Sequence, residues 1–233
     1  MKLSENWMEF EVVPKSGPRT KRSVEVRAIS LGVLRSPPKT VRKSRYLLTS
    51  DDTIEVEEAR SLGEAEYVAI VDKGEIFITT GSDHVDATVD PASFKTAGGA
   101  PDPAKGKQLC PAVVAREVWY YNDIKDHFGA LRLKSWVTID GQKVMFQDSP
   151  ISTIVDLETH YAANPKLKQN QTVLFSGSVD PLPSAPPDLY NIAAGDKSLF
   201  PRDFHFEITD PILGRSISHG YRVTVVNDPA PSM

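Results

Sequence analysis

Apolar and polar residues alternate with a period of two along most of the chain, and that pattern predicts a protein built chiefly of β-strands. "SVEVRAISLGVL" (23–34) alternates until the breaker run "RSPPKT". "AEYVAIV" and "EIFITT" flank "DKG", a hairpin signal, and "SWVTIDGQKVMFQ" (135–147) is a second hairpin around Asp140-Gly141, a pair that favours a type I′ turn. "FHFEITD" and "HGYRVTVV" add two strands near the C-terminus. Helical patterning is sparse. Ser149 and Pro150 read as the cap and first position of a helix over 149–161, and Tyr121, Ile124 and Phe128 mark a shorter one. The class this predicts is α+β, mainly β. Two stretches rich in Pro, Gly and Ala, 90–107 and 178–203, are long enough to read either as loops over a site or as surface insertions.

Composition narrows the functional classes. The chain has 233 residues, 40% hydrophobic and 25% charged, as expected of one globular domain. No stretch approaches the ~18 consecutive apolar residues of a membrane span, and "MKLSENWMEF" lacks the apolar core of a secretory signal. A single cysteine, Cys110, rules out an internal disulfide and fits a reducing, cytoplasmic setting; in its apolar run it reads as packed rather than nucleophilic. Net charge is −4, but residues 1–50 hold 11 Lys/Arg against 4 Asp/Glu, so that segment is basic and the remainder acidic. The basic residues form no nucleic-acid module, and no nucleic-acid or membrane partner is expected. Arg42, Lys43 and Arg45 could steer an anionic substrate but read better as a basic surface loop. Residues 1–40 form a basic N-terminal element and candidate cap or lid; 41–233 form the main domain.

The stretch that carries chemistry is "GEAEYVAIVDKGEIFITTGSDHVDA" (63–87). On a strand Glu64 and Glu66 share one face, with Cα atoms roughly 7 Å apart. Two carboxylates so placed on an apolar strand repel one another unless a cation joins them. A hard divalent ion bound by one or two carboxylates, with positions left for water and substrate oxygens, meets that need, and Asp83 could supply a third ligand. The competing reading is a solvated edge strand with Asp83 as a turn residue. His84 would point away from the carboxylates in a regular strand, or inward as a general base in a loop.

The order of motifs resembles the fumarylacetoacetate hydrolase family. The E-x-E strand is followed by "GSDH" with Asp83, by "GKQL" (106–109) with Lys107 where the family has G-K-S-F, by the hairpin and helix of 135–161, and by "LFSGSV" (174–179) where the family has T-G-T-P. The closing "FEITDPILGRSISHGYRVTVV" resembles the family's last strand pair. The likeness spans roughly 40–226, and G-S-D-H points to a bacterial branch for which no activity is implied. The resemblance implies a mixed β-sandwich or roll with a few short helices, often a homodimer. It implies Mg²⁺ or Mn²⁺ on Glu64, Glu66 and Asp83, Lys107 as the catalytic cation, and Gly177 and Ser178 at the substrate; His84 is the candidate base.

Three departures stand out. Ser82 replaces the family's Asn, Ala87 its Arg, and no histidine precedes His84 to form the water-activating His-Glu pair of the lid. The expected function is therefore a metal-dependent hydrolase or lyase acting on a small anionic 2-oxo acid or 1,3-dicarbonyl compound through an enolate. C–C bond hydrolysis, decarboxylation, hydration and tautomerisation all share that enolate. The alternative is a binding or scaffold protein that keeps the fold without the chemistry.

Overall fold

A computed structural model describes residues 7–33, 38–57, 61–86, 107–186 and 201–226. In chain order its strands are β1 (Trp7–Val12), β2 (Thr20–Glu25), β3 (Ala28–Val33), β4 (Lys39–Lys43), β5 (Leu48–Thr49) and β6 (Thr53–Val56). Then come β7 (Ser61–Leu62), β8 (Ala65–Asp72), β9 (Glu75–Asp83), β10 (Val85–Asp86), β11 (Ala112–Val114) and β12 (Glu117–Tyr120). The rest are β13 (Arg132–Ile139), β14 (Gln142–Pro150), β15 (Thr172–Phe175), β16 (Asp203–Asp210) and β17 (Arg215–Val225).

Among the described residues, ten strands make one sheet ordered β2-β1-β12-β9-β8-β15-β3-β4, with β11 joining β9 to β5. A five-stranded sheet, β14-β13-β16-β17-β6, packs beside it. Two apolar clusters follow from this. Tyr67, Ala69, Ile78 and Trp119 of the large sheet meet Leu133, Phe146, Phe204, Phe206 and Tyr221 of the small one. The opposite face of the large sheet encloses its own cluster, with Phe10, Ile29, Leu31, Val68, Ile70, Phe77 and Phe175. Strand β8 lies between the two and is buried along its whole length, which is why "AEYVAIV" is apolar on both faces.

Both expected hairpins form. Lys73-Gly74 and Asp140-Gly141 take positive φ (50° and 82°; 49° and 75°), as two-residue primed turns require. Two local readings are corrected. "SVEVRAISLGVL" is not one strand: it breaks after Glu25, so that β2 pairs with β1 while β3 pairs with β15 and β4. The helix expected over 149–161 is shorter and later, Leu157–Ala163, capped by Asp156, whose side chain accepts from Thr159 N–H. Ser149 and Pro150 instead end β14, at the sheet edge where a proline withdraws no needed donor. The second helical stretch is a short α-helix, Tyr121–Ile124, running into a 3-10 segment, Lys125–Ala130. Among the described residues no helix is long and apolar enough to cross a membrane.

Candidate functional site

The turn at Lys73-Gly74 pairs Asp72 with Glu75, and the ladder runs without a slip to Ala65 opposite Ser82. Glu66 thus faces Gly81, and one step past the last pair Glu64 comes opposite Asp83. Residues two apart share a face. The three acids therefore stand together, on the face that Val68, Ile70 and Phe77 continue into the enclosed cluster. One carboxylate oxygen from each lies within 4.8 Å of the others. Glu66 and Asp83 are buried, whereas Glu64 is partly exposed. The solvated edge strand is thereby ruled out as the setting of the E-x-E pair.

Two ammonium groups meet these carboxylates. Lys107 Nζ donates to Glu64 Oε2 at 3.0 Å and to Asp83 Oδ2 at 2.5 Å. Lys43 Nζ donates to Asp83 Oδ1 at 2.6 Å from a fully buried side chain. The surface-loop reading of Lys43 is corrected here. Lys43 closes β4 opposite Ile29, on the same strand face as Val41, which packs against the enclosed cluster. Gln108 ties the two lysines together: its Oε1 accepts from Ser44 N–H at 3.0 Å and its Nε2 donates to the Arg42 carbonyl at 2.7 Å.

Burial drives the Glu66 carboxyl well above its ordinary range, and the charges of Asp83 and Glu64 add to this against Lys107 and a backbone N–H. Burial would raise Asp83 too, but Lys107 and Lys43 together hold it below the usual carboxylate value. Burial works against the Lys107 ammonium, yet Glu64, Asp83 and Glu66 outweigh it and raise its pKa well above the ordinary lysine value.

The backbone N–H that reaches Glu66 belongs to Gly177, which donates to Oε2 at 2.7 Å from a φ of 89°. The carbonyl of the same peptide unit, Ser176 O, accepts from His160 Nε2 at 3.1 Å, so a buried histidine orients the peptide that orients Glu66. Ser178 is turned elsewhere. Its hydroxyl accepts from Gln147 Nε2 at 2.8 Å and faces the carbonyls of Val179 (3.1 Å) and Ala65 (3.3 Å).

His84 also faces away from the carboxylates. Strand β9 stays regular through Asp83, so His84 follows Ser82 onto the opposite side. Its Nδ1 lies 2.9 Å from the Tyr221 hydroxyl, which in turn sits 2.8 Å from Ser82 Oγ. Burial, with Lys43 nearby, pushes the imidazole down to about 3, so the ring is neutral near pH 7. The inward-turned loop that a base at His84 requires is not formed.

The structure therefore gathers Glu64, Glu66, Asp83, Lys107 and Gly177, and leaves His84 and Ser178 to other partners. Sequence reasoning missed Lys43, Gln108, Gln147 and Tyr221. For Lys43 one signal was available: Val41 and Lys43 lie two apart on a short strand, so an inward valine carries the lysine inward. Cys110 is buried and its thiol is pushed up to about 12 by burial, in keeping with packing. Most of the loops 90–107 and 178–203, together with Ala87, lies outside the described residues.

The donor set consists only of carboxylate oxygens, two of them on buried residues that share excess negative charge. It suits a hard divalent ion and not a soft one.

Comparison with known proteins agrees with this geometry at the level of fold. The crystal structures of Cg1458, one of them with an inhibitor, match with TM-score 0.57 at 15% and 14% identity. They cover 90% of this chain and 83–84% of theirs. A crystal form of 2-keto-3-deoxyarabinonate dehydratase matches with TM-score 0.53 at 13% identity, over 81% of this chain and 60% of that one. The fold is the fumarylacetoacetate-hydrolase-like one expected from the motifs. No curated protein matches the sequence. One family model does, over residues 19–221, a span that begins before β2 and reaches the tyrosine beside His84. It therefore contains every residue of the acidic cluster, and the chain belongs to the family described as "Protein of unknown function (DUF2848)".

Proposed function

We propose that the protein is an enzyme dependent on Mg²⁺ or Mn²⁺ that acts on a small anionic 2-oxo acid or 1,3-dicarbonyl compound. The observation that supports this most is the convergence of Glu64, Glu66 and Asp83 within 4.8 Å, with a lysine ammonium bridging two of them. A structural neighbour that carries a 2-keto acid in its name lends support to the substrate class.

Glu64, Glu66 and Asp83 would hold the ion, which when bound supplies Lewis-acid polarisation of adjacent substrate oxygens. The chain's own groups do the rest. Gly177 N–H fixes the Glu66 carboxyl by one oxygen, Oε2. Lys43 holds Asp83 by the oxygen remote from Lys107. Lys107 keeps its proton under the surrounding acids and stands beside the cluster as a preorganised cation for negative charge developing on a substrate oxygen, as in an enolate. C–C bond hydrolysis, decarboxylation, hydration and tautomerisation would each draw on this arrangement, because each passes through an enolate. Neutral His84, outside the cluster, supports the Ser82–Tyr221 side of β9 instead of serving as the base.

Thermal melting with Mg²⁺ or Mn²⁺, with and without oxalate, followed by a screen of small 2-oxo acids, tests this reading. Expected are a melting shift with either ion, a further shift with oxalate, and turnover that chelation removes. Lys107→Ala should still bind the ion while turnover falls about 10²–10³-fold. No shift with either ion would overturn metal dependence and favour a binding or scaffold role.

A further inference from the structure

We propose that Lys43 is a built-in counter-charge that restricts Asp83 to a single donor oxygen and matches the acidic cluster to a divalent ion. The inference rests on the metal reading above and adds a positioning residue that the motifs do not contain.

Three carboxylates alone would present three negative charges to an ion. Lys43 Nζ lies 2.6 Å from Asp83 Oδ1, and neither side chain is exposed. No other carboxylate is paired with Lys43 among the described residues. Its ammonium therefore belongs permanently to Asp83, and only Oδ2 is left for another partner. Apart from the exchangeable Lys107, the cluster then presents two net charges, the number that one divalent ion cancels. Lys107 is held differently. It is partly exposed and bridges Glu64 to that same Oδ2, so its ammonium stands where an ion would attach and can exchange with one. Lys43 has no such freedom: β3 pairs with its backbone, and Gln108 bridges the residues on either side of it.

The two lysines thus divide the work, one as fixed charge and the other as exchangeable cation. A buried pair of this kind is costly when one partner is removed and tolerated when both become neutral, which suggests the test. Mn²⁺ binding is followed by calorimetry and Tb³⁺ binding by its luminescence, in the full chain and in Lys43→Met, Asp83→Asn and the double variant. Lys43→Met exposes a third charge, and the ratio of Tb³⁺ to Mn²⁺ affinity should rise at least tenfold. Asp83→Asn leaves one net charge, and Mn²⁺ affinity should fall by at least a hundredfold. In the double variant Glu64 and Glu66 again present two charges. It should bind Mn²⁺ at least tenfold more tightly than Asp83→Asn and restore the wild-type ratio within about threefold.

Equal changes in both ions for Lys43→Met, or no gain from adding it to Asp83→Asn, would overturn the proposal and leave Lys43 a packing residue. The double variant leaves neither a Lys43 ammonium without Asp83 nor an Asp83 carboxylate without Lys43. If either single variant fails to fold, the double variant's ion ratio alone decides: a ratio more than about threefold from wild type overturns the proposal. Wild-type protein that binds neither ion would instead defeat the metal reading itself.

Discussion

Two centres in this molecule bury a carboxylate and differ in what surrounds it. At the end of β16, Asp210 accepts from the backbone N–H groups of Ile212 and Leu213 and from His127 Nε2, all at 3.0 Å, with Arg215 Nε 3.5 Å away. Its carboxylate is one charge among donors that outnumber it. Burial would raise its pKa, but Leu213 N–H and His127 more than offset that and hold it below the ordinary value. Around Glu66 the balance is reversed. Three carboxylates meet two ammonium groups, and the Glu66 carboxyl is raised instead of lowered. Burial of a carboxylate therefore does not mark a site by itself. An excess of acid over the local cations is what sets the Glu66 cluster apart, and it supports the metal reading proposed above.

The sharpest way to break that contrast is Glu66→Gln. It removes one ligand charge while preserving an oxygen for Gly177 N–H, so Mn²⁺ affinity should fall at least ~100-fold, since affinity at such sites follows the count of ligand charges. The metal-free protein should melt no lower than wild type, because a poorly compensated buried acid has been neutralised. Calorimetry and thermal melting check both halves. Retained Mn²⁺ binding would move the centre of the cluster away from Glu66.

Asp210→Asn should do the opposite. It weakens a buried carboxylate held by three donors on Oδ1, at a cost of about 2–4 kcal/mol, which for a chain of this size lowers the melting temperature by roughly 5–10 °C. Mn²⁺ affinity should stay within about twofold. A loss of ion binding in this variant would mean that the two centres are coupled, and the contrast drawn between them would fail.

How far each centre could be read in advance depends on how local its contacts are. The E-x-E strand, the "DKG" turn and Asp83 lie in one hairpin, and a two-residue turn fixes its register. Counting back from Asp72 opposite Glu75 places Glu64 opposite Asp83 with no other information. Lys43 lies 40 residues before Asp83 and reaches it only because β3, β15 and β8 bring β4 around the roll. Tyr221 lies 137 residues beyond His84, on the other sheet. Such pairings depend on sheet order, which alternation within one strand does not encode. The helix start was misplaced for a related reason: Ser149-Pro150 satisfies local capping rules, but pairing with Leu133 and Arg132 on β13 holds it as strand. Asp156, with Thr159 three residues on, was the cap that tertiary context left free to act.

Proton release sharpens the contrast further. Burial raises the Glu66 carboxyl, and wherever it still carries its proton an ion must displace that proton before the oxygen can ligate. Mn²⁺ affinity should therefore rise with pH, by up to about tenfold per unit for one proton, and level off once Glu66 ionises freely. Lys107, raised above the ordinary lysine value, stays protonated through this range and adds no second proton. Calorimetry in two buffers of different ionisation enthalpy counts the proton. Affinity that is flat between pH 5 and 9 would show that Glu66 is already ionised without the ion.

The smallest effect is expected at Ser178, and it separates a substrate contact from a structural tie. The resemblance places this residue at the substrate, but in the structure its hydroxyl accepts from Gln147 and faces two backbone carbonyls. Gln147 itself accepts from Ala65 N–H and Ser135 Oγ, so Ser178 is the last member of a chain linking β8 to the β13–β14 hairpin. Ser178→Ala removes the hydroxyl from Gln147 but leaves that amide its bond to Val179 O, so the loss should be modest, about 1 kcal/mol. Oxalate affinity in the presence of Mn²⁺ should change less than threefold, because Gly177 N–H, and not the Ser178 hydroxyl, points at the acidic cluster. A loss of oxalate binding tenfold or greater, with the melting temperature unchanged, would mean that the hydroxyl leaves Gln147 to meet the ligand.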